Sequence, residues 1–328
     1  MFQTDLLLNS VWVLPIAALL DFEIGDPWNW WHPVQGMGWA IAGYTRLAFR
    51  WLKSPLALRG AGVLLGLGLI FGSGFLGWLI VTVARSLHPI VGIAVESVLL
   101  ASCFAGRSLR SAAAEVLQTL ETGDLVAARV RLSRYVGRDT EQLSTAEILR
   151  AVLETVTENA IDGVLAPLFY ALVGLAIPPI GAAPLALAYK AASTLDSMVG
   201  YREAPYTDLG WFSAKTEDGL TWLPCRLAVL TLALLSGKPR HVWQLCCRDG
   251  PQDPSPNSGW SECAYAAVLG VQVGGTNTYR GVVKQKPLMG DATQPIVPHH
   301  VERALQLTRL CFLLWLGIGV VIFCFSFY

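Results

Sequence analysis

Charge is what this sequence has least of. Asp, Glu, Lys and Arg make up 15% of the 328 residues and hydrophobic residues 53%, a balance that excludes an ordinary soluble domain and points to a membrane protein. Twenty-four basic residues cancel 24 acidic ones, so no global field draws in nucleic acid, and charge-based function must come from local clusters. The seven cysteines (Cys103, Cys225, Cys246, Cys247, Cys263, Cys311, Cys324) form no C-x-x-C pair, and several sit in apolar runs where cysteine behaves as a small hydrophobe. That argues against a disulfide framework and a zinc site. The P-loop, H-E-x-x-H and G-x-S-x-G signatures are also missing. Gly72, Gly74 and Gly77 spell G-x-G-x-x-G, but inside an apolar run with no strand before it. With Gly62, Gly66 and Gly68 they read as close helix packing instead.

No Lys or Arg precedes Arg46. The first 23 residues have an apolar centre but no basic flank and no small-residue cleavage pattern, so they are expected to stay as a first helix with its N-terminus outside. A hydrocarbon core of about 30 Å needs roughly 20 apolar residues in a helix. Residues 60–84 and 310–328 meet that directly. Residues 88–105 form a shorter candidate containing Glu96, so 60–105 is expected to be a hairpin turned around Arg85. The loops on either side then share a face. Arg107, Arg110, Arg129, Arg131, Arg134 and Arg138 place that face in the cytoplasm.

The second half is less regular. Residues 163–188 read either as one span or as two short helices in a re-entrant pair, because "AIPPIGAAP" interrupts them. Residues 220–235 are interrupted by Pro224 and Arg226. No repeat and no Pro/Gly/Ser linker divides the chain, so a single all-α, polytopic helical membrane domain with cytoplasmic helical loops is expected over 1–328.

"ETVTENAIDGVLAPLFYAL" begins at Glu154 and passes from a polar stretch to one suited to lipid. Read as a helix over 147–162, it groups Leu149, Val152, Leu153, Val156 and Ala160 on one side. At 100° per residue, Glu147, Glu154 and Glu158 fall within about 40° of one another on the other side, with Asp162 at the edge. Like charges at this spacing repel without a cation. Either the face is merely solvated, or its hard oxygen donors hold magnesium shared with substrate phosphates.

Residues 189–220 mix Lys190, Asp196, Arg202, Asp208 and Lys215 with Tyr201, Tyr206, Trp211 and Phe212. They suit a phosphate- and ring-binding surface, or equally a loop in the headgroup zone. Pro254 and Pro256 introduce a helix near Gly259, with Ser255, Asn257 and Ser258 as caps and Glu262 favoured by the helix dipole; a phosphate suits the same helix end. "DFEIGDPWNWWHPV" sets Asp21, Asp26 and His32 in an aromatic, interface-like stretch.

The strings "GDPWNWWHPV", "VGRDTEQLSTAEILRAVLETVTENAIDGVLAPLFYAL", "AYKAASTLDSMVGY", "SPNSGWSECAYAAVLGVQVGG" and "KPLMGD" together resemble the adenosylcobinamide-phosphate synthases, the CbiB/CobD membrane family of cobalamin biosynthesis, over nearly the whole chain. The resemblance implies ATP- and magnesium-dependent amide formation between a carboxylate of adenosylcobyric acid and (R)-1-aminopropan-2-ol, supplied as its O-phosphate. It also implies a multi-pass protein of the bacterial plasma membrane, working on its cytoplasmic face, with the number of chains left open. The matching positions are Arg138, Asp139, Thr140, Glu154, Glu158, Asn159, Asp162, Lys190, Asp196, Ser197, Ser255, Asn257 and Glu262.

On that chemistry Glu154, Glu158 and Asp162 are expected to hold magnesium, with Asp196 a further candidate ligand. Arg138, Lys190 and Lys215 are expected to neutralise phosphate, and Glu158 or Asp196 to serve as general base. Asp139, Thr140, Asn159, Ser197, Ser255, Asn257 and Glu262 complete the expected substrate contacts. Ser193, Thr221 and Lys215 depart from the residues common in the family, which weakens any direct role for those three. The competing readings are a transporter, with Glu96 and Arg226 on its pathway, and a signalling relative without catalysis.

Overall fold

Proline punctuates this chain at helix starts. His32, Ser54 and His88 each precede a proline, and each offers a side-chain acceptor to a backbone N–H just downstream: His32 Nδ1 to Val34, Ser54 Oγ to Ala57 and His88 Nδ1 to Ile90, all at 3.2 Å. Proline gives up no hydrogen bond at such a position, because the first turn has no intrahelical acceptor for its N–H. His32 is thereby a helix cap.

The computed structural model describes residues 11–25 and 32–325. The first ten residues, Asp26, the tryptophans at 28, 30 and 31, and the last three residues of the expected final span lie outside that range. Helices α1 (Val13–Glu23), α2 (Pro33–Trp51), α3 (Pro55–Leu87), α4 (Pro89–Ala101), α5 (Gly106–Glu121) and α6 (Leu125–Leu132) come first. Then α7 (Thr145–Ala160) runs through a π-helical turn, Ile161–Leu165, into α8 (Ala166–Leu175), followed by α9 (Ala182–Val199), α10 (Trp211–Leu235), α11 (Pro239–Asp249) and α12 (Ser258–Leu269). A two-stranded antiparallel hairpin, β1 (Val273–Tyr279) and β2 (Val282–Met289), precedes α13 (Pro298–Phe325).

Among the described residues, five helical stretches are long and apolar enough to cross a membrane: Pro55–Leu87, Pro89–Glu121, Thr145–Leu175, Trp211–Leu235 and Pro298–Phe325. The chain is an all-α polytopic membrane protein with one small sheet. The polar helix at 145–160 and the apolar run after it are a single continuous helix. The paired prolines at 178 and 179 fall in the turn between α8 and α9, where their missing donors cost nothing. Trp211–Leu235 continues through Pro224, although the sequence marks 220–235 as interrupted.

The described residues form two compact units, neither contiguous in sequence, so no linker marks the division. One comprises the residues up to Arg107, Ala166–Leu220 and those from Leu314 on; the other comprises Ser108–Leu165 and Thr221–Leu313.

In the first unit, α9 packs on α3 and α8. Glycines of α3 let its neighbours approach closely, Gly77 toward α9 and Gly62 and Gly66 toward residues 209–212. A Cβ at Gly62 would lie 2.0 Å from the Leu209 carbonyl oxygen, one at Gly66 2.4 Å from the Phe212 ring, and one at Gly77 2.6 Å from Leu187. The α3–α4 hairpin turns at His88, and Arg85 pairs across it with Glu96. Glu96 is 1% exposed, and its second oxygen accepts from Ala182 N at 3.1 Å and Ala183 N at 3.4 Å, capping the start of α9. Both oxygens are engaged, which makes Glu96 a structural clamp.

Arg226, in the second unit, has its guanidinium 4.4 Å from the centre of the Trp260 ring and 5.3 Å from that of Trp222, and it donates to Asn257 Oδ1 at 3.3 Å. Cation–π contact and a hydrogen bond account for an arginine in an apolar helix. The two residues that a transport pathway would need are thus built into packing. Replacing Glu96 by Leu removes the buried carboxylate that Arg85 and the start of α9 share, and should lower stability by about 3 kcal/mol. Thermal unfolding in detergent checks this, with Glu96→Gln expected to lose less.

Candidate functional site

Helix α7 starts at a capping box: Ser144 Oγ accepts from Glu147 N, and the Glu147 carboxylate accepts from Ser144 N at 2.7 Å. Glu147 therefore belongs to the helix end. Seven residues on, Glu154 lies on the same side of the helix but is 1% exposed. One of its oxygens pairs with Arg138, from the loop before α7; the other accepts from Gly274 N, on β1, at 2.8 Å. Arg150, one turn earlier, donates to the carbonyl of Gly274 and to that of Thr276 at 2.9 Å. Arg138 and Arg150 both donate to Asn277 Oδ1, each at 3.0 Å.

The hairpin's tip is fixed as well. Its two loop residues, Arg280 (φ 51°) and Gly281 (φ 78°), have the left-handed backbone that a tight two-residue turn requires. The Asp139 carboxylate accepts from Arg280 N at 2.9 Å and Gly281 N at 2.8 Å, while its own N–H donates to the Thr278 carbonyl at 2.8 Å. Arg138 and Asp139 thus tie this hairpin to α7 side by side.

Docking the hairpin encloses a cavity of about 610 Å³. Its walls include Arg138, Glu154, Glu158 and Asn159 from the α7 side, Asp253 and Ser258 from the α12 side, and Asn277, Tyr279, Lys284 and Lys286 from the hairpin. Glu158 opens onto it, and Asn159 Nδ2 donates to the Thr155 carbonyl at 2.9 Å. Lys286 Nζ is 2.5 Å from Oε1 of Glu262, which is fully buried. Burial works against the Lys286 charge, but the carboxylates of Glu262, Glu158 and Glu154 outweigh it and raise the Lys286 pKa, so the ammonium persists. Arg138, Lys284 and Lys286 share the cavity wall with Glu154, Glu158 and Asp253, and such a space suits a ligand that brings its own charges of both signs.

Among the expected site residues, this unit gathers Arg138, Glu154, Glu158 and Asn159 at the cavity, with Asp139 and Glu262 behind its walls. Thr140 is buried, its carbonyl accepting from Leu143 N at 3.2 Å. Glu262 faces Lys286, and that ion pair, more than the helix dipole, accounts for it. Ser255 Oγ caps α12 by accepting from Asn257 N and Ser258 N at 3.2 Å, whereas the Asn257 side chain faces Arg226 and makes no cap bond. Asp162 sits in the π-helical turn, half-buried. Among the described residues no three His, Cys, Asp or Glu side chains stand close enough to hold a metal between them. Glu154, with both oxygens taken, is the reason the acidic face is not a ready-made cage. Magnesium still fits as an ion shared with phosphate, which needs only one or two carboxylates such as Glu158.

Lys190, Asp196, Ser197 and Lys215 belong to the other unit. Lys190 and Asp196 are half-buried on α9, the Asp196 carbonyl accepts from Gly200 N at 2.7 Å, and Ser197 Oγ donates to the Thr194 carbonyl at 2.9 Å. Lys215, 62% exposed, is 3.9 Å from Asp218. The residues that sequence reading passed over are Asn277, Tyr279, Lys284 and Lys286. The one local sign of them in the sequence is Arg280-Gly281, a pair suited to a two-residue hairpin turn; the segments on either side show no clean alternation.

The CobD/Cbib protein family profile matches residues 14–308. The chain belongs to the CobD/CbiB family. It is 53% identical to cobalamin biosynthesis protein CobD of Synechocystis sp. over 315 residues, covering 96% of this chain and 92% of the relative. It is 40% identical to cobalamin biosynthesis protein CbiB of Salmonella choleraesuis (94% and 96% covered) and 41% identical to that of Salmonella typhimurium (89% and 91%). These names tie the family to cobalamin biosynthesis. No solved structure matches this chain.

Replacing Lys286 by Met strands the buried Glu262 without its cation, and breaking such a pair costs about 3–5 kcal/mol. Chemical or thermal unfolding of K286M in detergent should show a loss of that size, with the double variant K286M/E262L recovering most of it.

Proposed function

We propose that this chain uses ATP to join (R)-1-aminopropan-2-ol O-phosphate to a carboxylate of adenosylcobyric acid, giving adenosylcobinamide phosphate. The observation that carries this reading is the cavity between α7, α12 and the hairpin, lined by cations and an open carboxylate, in a chain of the CobD/CbiB family. Phosphorylated reactants need cationic neutralisation and alignment more than covalent help. A bare carboxylate resists attack by an amine. In the proposed sequence its oxygen attacks the γ-phosphorus of ATP, ADP leaves, and an acyl phosphate results; the amine nitrogen then attacks the acyl carbon and inorganic phosphate departs.

In this scheme Arg138 and Lys286 face phosphoryl oxygens. Glu158 takes the proton that the attacking ammonium must lose. Magnesium, when bound with nucleotide, would offset phosphate charge, with Glu158 as its protein ligand and Asp162 as the further candidate. Lys190, Asp196, Ser197 and Lys215 remain candidates for substrate contacts, with Asp196 the alternative base. The cytoplasmic face of a bacterial plasma membrane, where ATP is available, is the proposed working side.

Corrinoid- and amine-dependent release of ADP and phosphate by the purified protein tests the reaction, and its absence with every amine donor would refute it. Glu158→Gln should lower the coupling rate at least about 100-fold while leaving thermal stability near that of the parent chain. Topology has a separate check. In a Cys247→Ser background, Thr207→Cys and Ser255→Cys should both react with a membrane-impermeant maleimide only when the cytoplasmic side is accessible; labelling from opposite sides would separate the two polar blocks.

A further inference from the structure

Asn277 is 4% exposed in the cavity wall, and its two amide ends have unequal fates. Its Oδ1 accepts from Arg138 and from Arg150, each at 3.0 Å. A guanidinium can only donate, so the oxygen must face the arginines and the amide cannot turn over. Its Nδ2, with two N–H bonds to give, has no hydrogen-bond partner among the described residues. A buried donor left unused costs free energy, and a native protein that holds one so firmly has a use for it. Lys284 and Lys286 line the same cavity. Two arginines in turn fix the amide's direction, as the supporting groups of an oxyanion-binding donor must.

We infer that the Asn277 side-chain amide is an oriented, neutral donor to a nonbridging phosphoryl oxygen of the ligand in this cavity. This rests on reading the cavity as the place where phosphate is handled. A neutral donor suits the position: the cavity already holds cations, and a uncharged amide recognises an oxygen without adding to a charge that nearby carboxylates must balance. Asn277 is thus assigned to binding and discrimination of the anionic group, with Arg138 and Arg150 as positioning residues.

Asn277→Asp tests this with little change of shape. A carboxylate keeps both arginine bonds but removes the N–H donors and turns an acceptor toward the ligand. The expected result is unchanged or higher thermal stability, together with at least a tenfold weaker affinity for magnesium pyrophosphate by calorimetry, and a KM for the phosphorylated co-substrate raised at least tenfold. Separate titrations with ATP and with aminopropanol phosphate tell which one supplies the oxygen. Wild-type pyrophosphate affinity in the variant, or no pyrophosphate binding by the parent chain, would overturn the inference: the amide would then serve a buried water or the fold alone. Coupling that persists at the parental KM in N277D leaves the ligase reading intact while removing Asn277 from it. Asn277-dependent pyrophosphate binding without any coupling does the reverse.

Discussion

A carboxylate taken out of water must be paired, and in this protein the pairing of Glu154 builds the candidate site. Its two oxygens reach in different directions along the chain, one to Arg138 and the other to the backbone of Gly274, 120 residues away in sequence. An unpaired buried charge would cost several kcal/mol, so the hairpin cannot leave α7 without exposing that cost. Asp139 and Arg150 add bonds of the same kind at the hairpin's tip and along β1. The cavity is the space that remains once these polar groups have found one another. Glu158, one turn further along α7, opens onto it.

The same rule separates charges that build from charges that are open to a ligand. Glu96 and Arg226 have the sequence appearance of functional residues, being ionisable groups in apolar helices. Yet Glu96 spends both oxygens on Arg85 and the start of α9, and Arg226 is stacked against two indoles and bonded to Asn257. Glu158 differs because it faces the cavity, while Lys286 lines the same cavity with its ammonium already held by Glu262. Position in an apolar helix therefore says little about function here; what decides it is whether the polar atoms are already committed.

Local pattern made much of the fold legible. Apolar runs at 60–84 and 310–328 mark the helices found at 55–87 and 298–325 without giving their starts, and period 3.6 puts Glu154 and Glu158 on one side of α7. Periodicity reports only neighbours in sequence, however. It groups Glu147, Glu154 and Glu158 as equivalents, although the first closes a capping box, the second bonds to β1 and the third opens onto the cavity. The partners that tell them apart lie more than a hundred residues downstream, or in a loop with no periodicity of its own. The hairpin was hidden for a related reason: seven and eight residues of mixed polarity carry little strand signal, and its turn is closed by an aspartate from elsewhere.

The two-stranded sheet leaves the outer side of β2 without a neighbouring strand. An open row of backbone groups invites pairing with another chain, and β2 carries Val282 and Val283 exposed at its start. Lys284 and Pro287 follow, an exposed ammonium that repels a like strand and a residue that withholds a donor. Of the two lysines that line the cavity, the exposed Lys284 is the one placed to discourage pairing of this edge with a like strand. A substitution at Lys284 therefore alters the open edge of the sheet and the wall of the cavity together.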